Sequence, residues 1–218
     1  MRVAIAGAGK VGRAIARELV GNGHDVLLID KDAELARPGV VEGVGSLLAD
    51  ACEVSALDEA RLAECQAVVA ATGDDKVNLV VSLLAKTEFG VPRVVARVNH
   101  PKNEWMFDES WGVDVAVSTP RMLSALVEEA VSVGDLVRLF TFRQGAAELV
   151  EMTLPSTSPV VGHSTSSIDW PQDTVPVAIV RGTHVKTPDA SLVLEAGDEL
   201  LFVAAPEREA ELQALLGH

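Results

Sequence analysis

Three glycines near the start of the chain have the spacing that a dinucleotide pyrophosphate requires. They are Gly7, Gly9 and Gly12 in "GAGKVG", directly after the apolar stretch "RVAIA" (2–6). In such a pattern the first glycine permits a tight turn, the second lets a pyrophosphate approach the backbone, and the third lets a helix pack against the strand. The N–H groups and partial positive charge of that helix would face the phosphates. The pattern therefore predicts a phosphate-binding turn.

An acidic residue ends the next predicted strand, "DVLLID" (25–30). A carboxylate at this place, Asp30, accepts hydrogen bonds from the two ribose hydroxyls and repels a 2′-phosphate. The sequence therefore favours NAD over NADP, although the neighbouring Lys31 weakens the preference. The full order of strand, glycine turn, helix, strand and acid is much more specific than three spaced glycines alone.

Further polar residues follow later strands, where the carboxyl ends of a parallel sheet form the binding edge. Asp50 follows "SLLA"; it either reaches the adenosine or is an ordinary solvated carboxylate. Within "ATGDDKVN" (71–78), Thr72 and Gly73 are placed to offer backbone groups to a ligand. Asp74 or Asp75 would cap the following helix, and capping alone is an alternative explanation of these acids.

The next strand, "RVVARV" (93–98), ends at the same edge with Arg97, and His100 follows shortly after. Arg97 either meets a phosphate or forms a surface salt bridge. His100 is the one histidine near this edge, since His24, His163, His184 and His218 lie elsewhere in the sequence.

The sequence offers little for catalysis. A dehydrogenase needs a group that transfers a proton, usually His, Lys or Tyr, and the chain contains no tyrosine. We find no catalytic triad, nucleophile elbow or metal-ligand spacing, so no catalytic or metal-binding residue is predicted. Cys52 and Cys65 lack CxxC spacing and are expected to be free thiols. These absences favour a nucleotide sensor over an oxidoreductase, which remains the alternative.

The elements that must position these residues alternate between strands and helices. Apolar strands are expected at 2–6, 25–29, 67–71, 93–98 and 113–117, with a weaker stretch in 39–48. Helices are expected after the glycine turn, with Val11, Ile15 and Leu19 on one stripe, at 55–64 (Ser55 as N-cap) and at about 75–89. This alternation predicts an α/β fold with a Rossmann-like doubly wound parallel sheet. The segment 31–49 matches a regular helix and strand poorly.

A helix and a smaller α+β domain follow. In "STPRMLSALVEEAV" (118–131), Thr119 is the predicted N-cap and Pro120 the first helical residue. Its apolar residues cover a broad surface, which suggests contact with a second subunit: Met122, Leu123, Leu126, Val127 and Ala130. Strands are expected at 136–142, 148–154, 175–180 and 198–204, and a final helix after Pro206. We therefore expect a nucleotide-binding domain at 1–117, a crossover helix and linker at 118–134, and a C-terminal domain at 135–218.

The composition of the chain argues against some classes of partner and location. The formal net charge of −14 argues against nucleic acid as a partner. No signal peptide or stretch long enough to span a bilayer is evident, so a cytoplasmic location is expected. Trp105 and Trp111 form either an exposed apolar patch or core packing under the sheet edge; core packing is the more common arrangement and is the expectation here.

Several blocks resemble the RCK (KTN) domains of TrkA-type regulatory subunits of Trk/Ktr potassium uptake systems. The similar blocks are "MRVAIAGAGKVGRAIARELVGNGHDVLLID", "ATGDDKVNLVVSLLAK", "VVARVNHP", "LVEMTLPSTSPVVGHS", "VPVAIVRG" and "LEAGDELLFVA", so the resemblance covers nearly the whole chain. It implies a cytoplasmic subunit attached to the inner face of the membrane through a pore-forming potassium transporter subunit. It also implies homodimers that build a larger ring, or a paralogous RCK partner.

The resemblance implies that NAD or NADH, or alternatively ATP or ADP, occupies the cleft and changes the transport rate. The implied ligand contacts are Gly7, Gly9, Lys10, Val11, Gly12, Asp30, Lys31, Asp50, Ala51, Thr72, Gly73 and Arg97. An RCK regulator of a potassium efflux channel or antiporter is a further alternative, because the membrane partner sets the direction of ion flow. Many relatives contain two such units, whereas this chain contains one.

Overall fold

The computed structural model describes residues 1–131, 133–142 and 147–217. The chain divides into two compact units, Met1–Pro120 and Arg121–His218. The boundary falls within the first turn of the helix that joins them. The three-part division expected from the sequence (1–117, 118–134 and 135–218) stays a prediction, since its linker includes Ser132, outside the described residues.

Unit 1 is built on a parallel sheet of six strands in the order β3-β2-β1-β4-β5-β6. The strands are β1 Arg2–Ala6, β2 Asp25–Asp30, β3 Gly45–Leu48, β4 Ala67–Ala70, β5 Val94–Val98 and β6 Val115–Ser118. The α-helices are α1 Lys10–Gly21, α2 Val54–Glu59 and α3 Asp75–Thr87, and 3₁₀ helices span Leu62–Glu64, Pro101–Met106 and Glu109–Trp111. The predicted Rossmann-like doubly wound sheet is confirmed.

Aliphatic side chains of alternating direction build a core on each face of this sheet. Along β1, Ala4 contributes to the cluster that contains Leu57 and Leu79, whereas Val3 and Ile5 contribute to the cluster on the opposite face. Because successive strand residues point to opposite faces, a strand covered on both sides must be apolar throughout. This explains why "RVAIA" shows no polar alternation.

Three local expectations are corrected. Ser55 is not an N-cap: α2 begins at Val54 after Glu53, and the predicted helix is interrupted at Arg61, whose φ is 53°. Trp105 is not core packing, because 77% of its surface is exposed; Trp111 is 36% exposed. The first residues after α2 thus form a turn and a short 3₁₀ helix, and the tryptophans lie on the surface of unit 1.

Residues 31–44 contain no helix between β2 and β3. Leu35, Ala36 and Val41 are nevertheless buried or partly buried, and Val41 belongs to the core cluster under β1 and β2. An irregular segment therefore covers the sheet where other Rossmann units place a helix, which is why the periodicity was poor.

Unit 2 combines helices with an antiparallel sheet. Its antiparallel sheet has the order β10-β9-β11-β8-β7. The strands are β7 Val137–Thr141, β8 Glu148–Thr153, β9 Thr174–Arg181, β10 His184–Lys186 and β11 Glu199–Ala204. The helices are α4 Thr119–Val131, α5 Glu209–Leu216 and 3₁₀ helices at Thr165–Ser167 and Pro206–Arg208. The short strand β10 was not expected, because three residues give no periodic signal.

The core of unit 2 packs around Phe202 and Met152, both fully buried, with Leu212 from α5. An ion pair with a buried carboxylate fixes the turn before β11: Asp198 is 0% exposed and accepts two hydrogen bonds from the partly exposed Arg181 guanidinium at 2.6 and 2.7 Å. Burial opposes ionisation of Asp198, but these bonds and the Glu195 N–H outweigh it and lower the pKa of the carboxyl.

Helix α4 begins at Thr119, one residue earlier than expected. Its apolar side chains are exposed: Met122 at 44%, Leu123 at 62%, Leu126 at 56% and Val127 at 55%. The side chain of Ala130, also expected on this surface, lies outside the described part of the chain.

Candidate nucleotide-binding site

A cleft of about 610 Å³ opens at the carboxyl edge of the unit 1 sheet. Its size lies within the range of small-molecule and cofactor sites. Of the residues expected at the ligand, those lining the cleft are Gly7, Gly9, Lys10, Val11, Asp30, Lys31, Asp50, Ala51, Thr72, Gly73 and Arg97. Gly12 does not line it. That these residues bind a ligand stays a prediction, but the fold brings eleven of the twelve together.

The glycine turn is held by backbone geometry. Gly7 has a φ of 105°, which L side chains rarely adopt, and its N–H donates to the Ile29 carbonyl at 2.8 Å. A Cβ on Gly12 would lie 1.8 Å from the Gly7 carbonyl oxygen. Gly12 therefore acts in helix packing, behind the cleft, which explains why it does not line it.

Gly9 differs from the other two glycines. It is the N-cap of α1 with a φ of −68°, and no atom lies within 4 Å of the position a Cβ would take. Neither backbone strain nor packing therefore requires glycine here. The space beside Gly9 faces the cleft and the first N–H groups of α1, which have no acceptor within the helix. This open space fits a pyrophosphate against the helix N-terminus.

The Asp30 carboxylate is already oriented by the backbone. Oδ2 accepts a hydrogen bond from the Ala8 N–H at 2.7 Å, and Oδ1 accepts one from the Asp32 N–H at 2.9 Å. Each oxygen keeps a lone pair for a further donor. Asp30 thus joins the glycine turn to the end of β2 while it still offers acceptors to a ribose diol.

The buried side-chain amide of Asn78, which was not singled out from the sequence, holds Thr72 and Arg97 together. Asn78 is 0% exposed; its Oδ1 accepts from the Thr72 N–H at 2.9 Å and the Thr72 hydroxyl at 2.7 Å. Its Nδ2 donates to the Arg97 carbonyl at 2.8 Å. The only signal in sequence was the polar residue on the buried stripe of α3. Asn78 fixes the spacing between the ends of β4 and β5.

The two acids of "TGDD" have separate roles. Asp74 is the N-cap of α3, and its carboxylate accepts from the Lys76 N–H at 2.8 Å. Asp75 is 7% exposed and accepts from Asn99 and His100 backbone N–H groups at 2.6 and 3.0 Å. Burial opposes ionisation of Asp75, but its hydrogen bonds outweigh burial and lower its pKa.

Arg97 provides a test of whether an anionic ligand fits. Its Nε is buried and has no hydrogen-bond partner, and Arg97 forms no ion pair with the described residues. The surface salt bridge considered from the sequence is not found among the described residues. A buried guanidinium nitrogen without an acceptor is costly, and a phosphate oxygen in the cleft would supply that acceptor. Phosphate thus fits the cleft.

Asp50 lines the cleft just after the end of β3. Asp50 Oδ1 accepts from the Cys52 N–H at 2.9 Å. Burial, followed by the charge of Asp50, raises the pKa of the half-exposed Cys52 thiol. Cys52 and Cys65 are both free thiols. His100 lies outside the lining; its Nδ1 accepts from the Lys102 N–H at 3.4 Å.

The lining also contains residues that were not expected at the ligand from the sequence: Ile29, Leu35, Ala49, Ala71, Asp74 and Val77. Most are apolar and suit the face of an adenine ring. Neither histidine nor tyrosine is among the described lining residues. In the described part of the chain no group of three or more His, Cys, Asp or Glu could hold a metal ion, and no helix is long and apolar enough to cross a membrane.

Two family models cover most of the chain: the TrkA-N domain matches residues 3–119 and the TrkA-C domain matches residues 149–217. The Trk system potassium uptake protein TrkA of Mycobacterium tuberculosis (strain ATCC 25618 / H37Rv) is 57% identical over 216 residues, covering 99% of this chain and 98% of that protein. A TrkA homolog from Methanothermobacter thermautotrophicus (strain ATCC 29096 / DSM 1053 / JCM 10044 / NBRC 100330 / Delta H) is 30% identical over 201 residues, covering 92% of each chain.

Among solved structures, the "GsuK channel bound to NAD" superimposes with a TM-score of 0.70 at 18% identity. The match covers 100% of this chain and 39% of that chain, so this chain spans about two fifths of the channel's length. At this identity the likeness shows the fold alone. The relatives are named for potassium uptake rather than for an enzymatic reaction, which argues against the oxidoreductase alternative. The chain belongs to the TrkA family of Trk system potassium uptake proteins.

Proposed function

We propose that the chain is a cytoplasmic regulatory subunit that senses an adenine nucleotide and thereby gates a membrane potassium uptake transporter of the Trk/Ktr type. The observation that carries this proposal is the cleft itself. It combines an open space at the N-terminus of α1, an oriented Asp30 carboxylate and a buried Arg97 Nε that has no hydrogen-bond partner among the described residues. These features suit the phosphates and ribose of a nucleotide, in a family named for potassium uptake.

NAD or NADH is the proposed ligand, with ATP and ADP as alternatives in the same cleft. Asp30 would accept the adenosine ribose hydroxyls, and Lys10 and Arg97 would meet the phosphates. The lining contains three carboxylates and three cations: Asp30, Asp50 and Asp74, and Lys10, Lys31 and Arg97. A nearly balanced charge suits the two phosphates of a dinucleotide better than a triphosphate without a metal ion. The NAD bound to the GsuK channel supports this choice by analogy of fold.

Assembly on a membrane partner completes the proposal. The exposed apolar surface of α4 supports dimerisation through this helix, and dimers would form a ring attached to the inner face of the membrane through the pore-forming subunit. A nucleotide changes the transport rate only if it binds one ring shape better than another. A coupling free energy of about 1–3 kcal/mol would change an opening equilibrium roughly 5- to 150-fold.

Calorimetric titration of the purified protein with NAD, NADH, ATP and ADP tests the binding step. Asp30→Ala removes the ribose acceptor and should abolish saturable binding. The matched control is Asp32→Ala, which removes a carboxylate two residues away and outside the lining. In the described structure the Asp32 carboxylate accepts one bond, from the Glu34 N–H, and the backbone bonds of Asp32 are kept in the variant, so it should bind as the wild type does.

Potassium flux through the reconstituted transporter tests the regulatory step. The flux should respond to the nucleotide that binds most tightly, and the response should be lost with Asp30→Ala but kept with Asp32→Ala. Saturable binding without any effect on flux would leave a nucleotide-binding protein and refute the gating role.

A further inference from the structure

One carboxylate behind the cleft connects the strand ends that face the ligand to a surface helix. Asp75 begins α3 and is 7% exposed. Its Oδ1 accepts hydrogen bonds from the Asn99 backbone N–H at 2.6 Å and from Asn99 Nδ2 at 3.0 Å. Its Oδ2 accepts from the His100 N–H at 3.0 Å and from Asn103 Nδ2 at 2.8 Å. The two oxygens therefore receive four donors.

On the cleft side this network ends at residues that line the proposed site. Asn99 Nδ2 also donates to the Thr72 carbonyl at 3.0 Å. Asn78 Nδ2 donates to the same Thr72 carbonyl at 3.3 Å and to the Arg97 carbonyl at 2.8 Å, so it connects the two. A ligand phosphate that engages the Arg97 guanidinium would thus act on backbone groups one or two hydrogen bonds away from Asp75.

On the other side the network holds the 3₁₀ helix Pro101–Met106. Asn103 lies within this helix and bonds to Asp75 through its side chain. Trp105, in the same helix, is 77% exposed, whereas Met106 and Phe107 pack against the unit 1 core. The helix is thus fixed by the core at its end and by Asp75 at its middle, and it carries an exposed indole.

Each carboxylate oxygen of Asp75 already accepts two hydrogen bonds, and this makes the connection between the cleft and the 3₁₀ helix stiff. A buried acceptor with four donors cannot release one without leaving a polar group unsatisfied. A shift of Asn99 at the end of β5 must therefore either move Asp75 and Asn103 together or break a buried bond. The Asp74 carboxylate, by contrast, caps α3 through the Lys76 N–H and lines the cleft, so the two neighbouring acids are not equivalent.

We infer that Asp75 is a positioning residue that couples occupancy of the nucleotide cleft to the order of the 3₁₀ helix Pro101–Met106. This inference rests on the proposed nucleotide-binding function and adds to it the element that responds to the ligand. Asp75 itself does not line the cleft and acts through Asn99 and Asn103.

Hydrogen exchange read by mass spectrometry, with calorimetry on the same samples, tests the coupling. Saturating NAD should slow exchange in peptides that span residues 101–107 of the wild-type protein. In Asn103→Ala, which removes only the bond from the 3₁₀ helix to Asp75, NAD should still bind, but the slowing at 101–107 should be lost. Lys102→Ala is the matched control: Lys102 is exposed in the same helix, and this variant should retain both binding and slowing.

The outcomes separate the coupling from the proposed function. NAD binding with unchanged exchange at 101–107 in the wild type overturns the coupling alone. A slowing that persists in Asn103→Ala also overturns it, because the helix would then respond by another route. Absence of NAD binding overturns both the proposed ligand and the coupling. A purely structural role of Asp75 predicts equal exchange with and without NAD.

Discussion

The open space beside Gly9 leads to a sharp expectation for Gly9→Ala: the variant should fold normally and fail to bind nucleotide. Gly9 has a φ of −68° and a ψ of −172°, a region open to alanine, and no atom lies within 4 Å of the added Cβ. The fold therefore has no steric reason to reject the methyl group. Only a ligand that approaches the backbone at this point would meet it.

The stability change can be worked out from two opposing effects. Alanine is a poorer N-cap than glycine, which costs about 0.5–1 kcal/mol. Alanine also restricts the unfolded chain, which stabilises the fold by about 0.4–1 kcal/mol where the native backbone permits it. The two effects nearly cancel, so the free energy of unfolding should stay within about 0.5 kcal/mol of the wild type.

The binding change is expected to be much larger. A hydrogen bond to a charged group contributes about 1.5–3 kcal/mol. If the methyl group moves the pyrophosphate away from two N–H groups at the start of α1, the loss is about 3–6 kcal/mol, which lowers affinity at least about 100-fold.

Two glycines of the same helix serve as controls, with thermal unfolding and calorimetry as the assays. Gly21→Ala also adds a Cβ into open space, at the far end of α1, and should leave nucleotide affinity unchanged. Gly12→Ala places a Cβ 1.8 Å from the Gly7 carbonyl and should lower stability by about 1–3 kcal/mol or more. A Gly9→Ala protein with wild-type affinity would refute the placement of the pyrophosphate at this turn.

Three further expectations concern other parts of the chain. Asp198→Ala removes a fully buried carboxylate that accepts two hydrogen bonds from the partly exposed Arg181 guanidinium, and it leaves the Glu195 N–H without its acceptor. Because Arg181 keeps Glu195 and the Val193 carbonyl as partners, this variant should destabilise unit 2 by about 1–3 kcal/mol in denaturant unfolding; a change below about 0.5 kcal/mol would contradict this role of Asp198. Because the folded pKa of Asp75 is lowered, its contribution to stability is present above the ordinary aspartate value of about 3.9 and is lost as pH falls through the folded pKa. The acid unfolding of Asp75→Asn, compared with that of the wild type, should therefore depend less steeply on pH, whereas equal slopes would assign the acid sensitivity to other groups. Leu123→Asp places a charge on the exposed apolar surface of α4 and should shift sedimentation from dimer to monomer, while Arg121→Asp, at the start of the same helix, tests whether charge alone has that effect.

Much of the fold of unit 1 could be predicted from local features of the sequence. Short apolar runs buried on both faces indicate parallel strands, and the order of turn, helix and acid indicates the edge at which we propose that a nucleotide binds. Unit 2 was less predictable, because an antiparallel sheet depends on pairing between distant segments. The short strand β10 is defined only by its partner β9.

The wrong expectations about the Ser55 cap and the two tryptophans have physical causes. Ser55 resembles an N-cap by residue type, but capping depends on backbone dihedrals that the chain reaches at Glu53 instead. Trp105 and Trp111 were expected in the core because large apolar side chains are usually buried. That preference does not show which side of a surface helix a residue occupies, so the expectation was wrong.

The sequence by itself determined the parallel sheet, the glycine turn and the position of Asp30, since each depends on residues close together in the chain. Only the tertiary structure decided the roles of Asn78, Asp75 and Arg97. Their meaning depends on which atoms meet across separate strand ends: Asn78 bonds to a carbonyl 19 residues away, and Asp75 to a side chain 28 residues away. Burial then decides their energetics, because a buried polar atom must find its partner wherever the fold brings one.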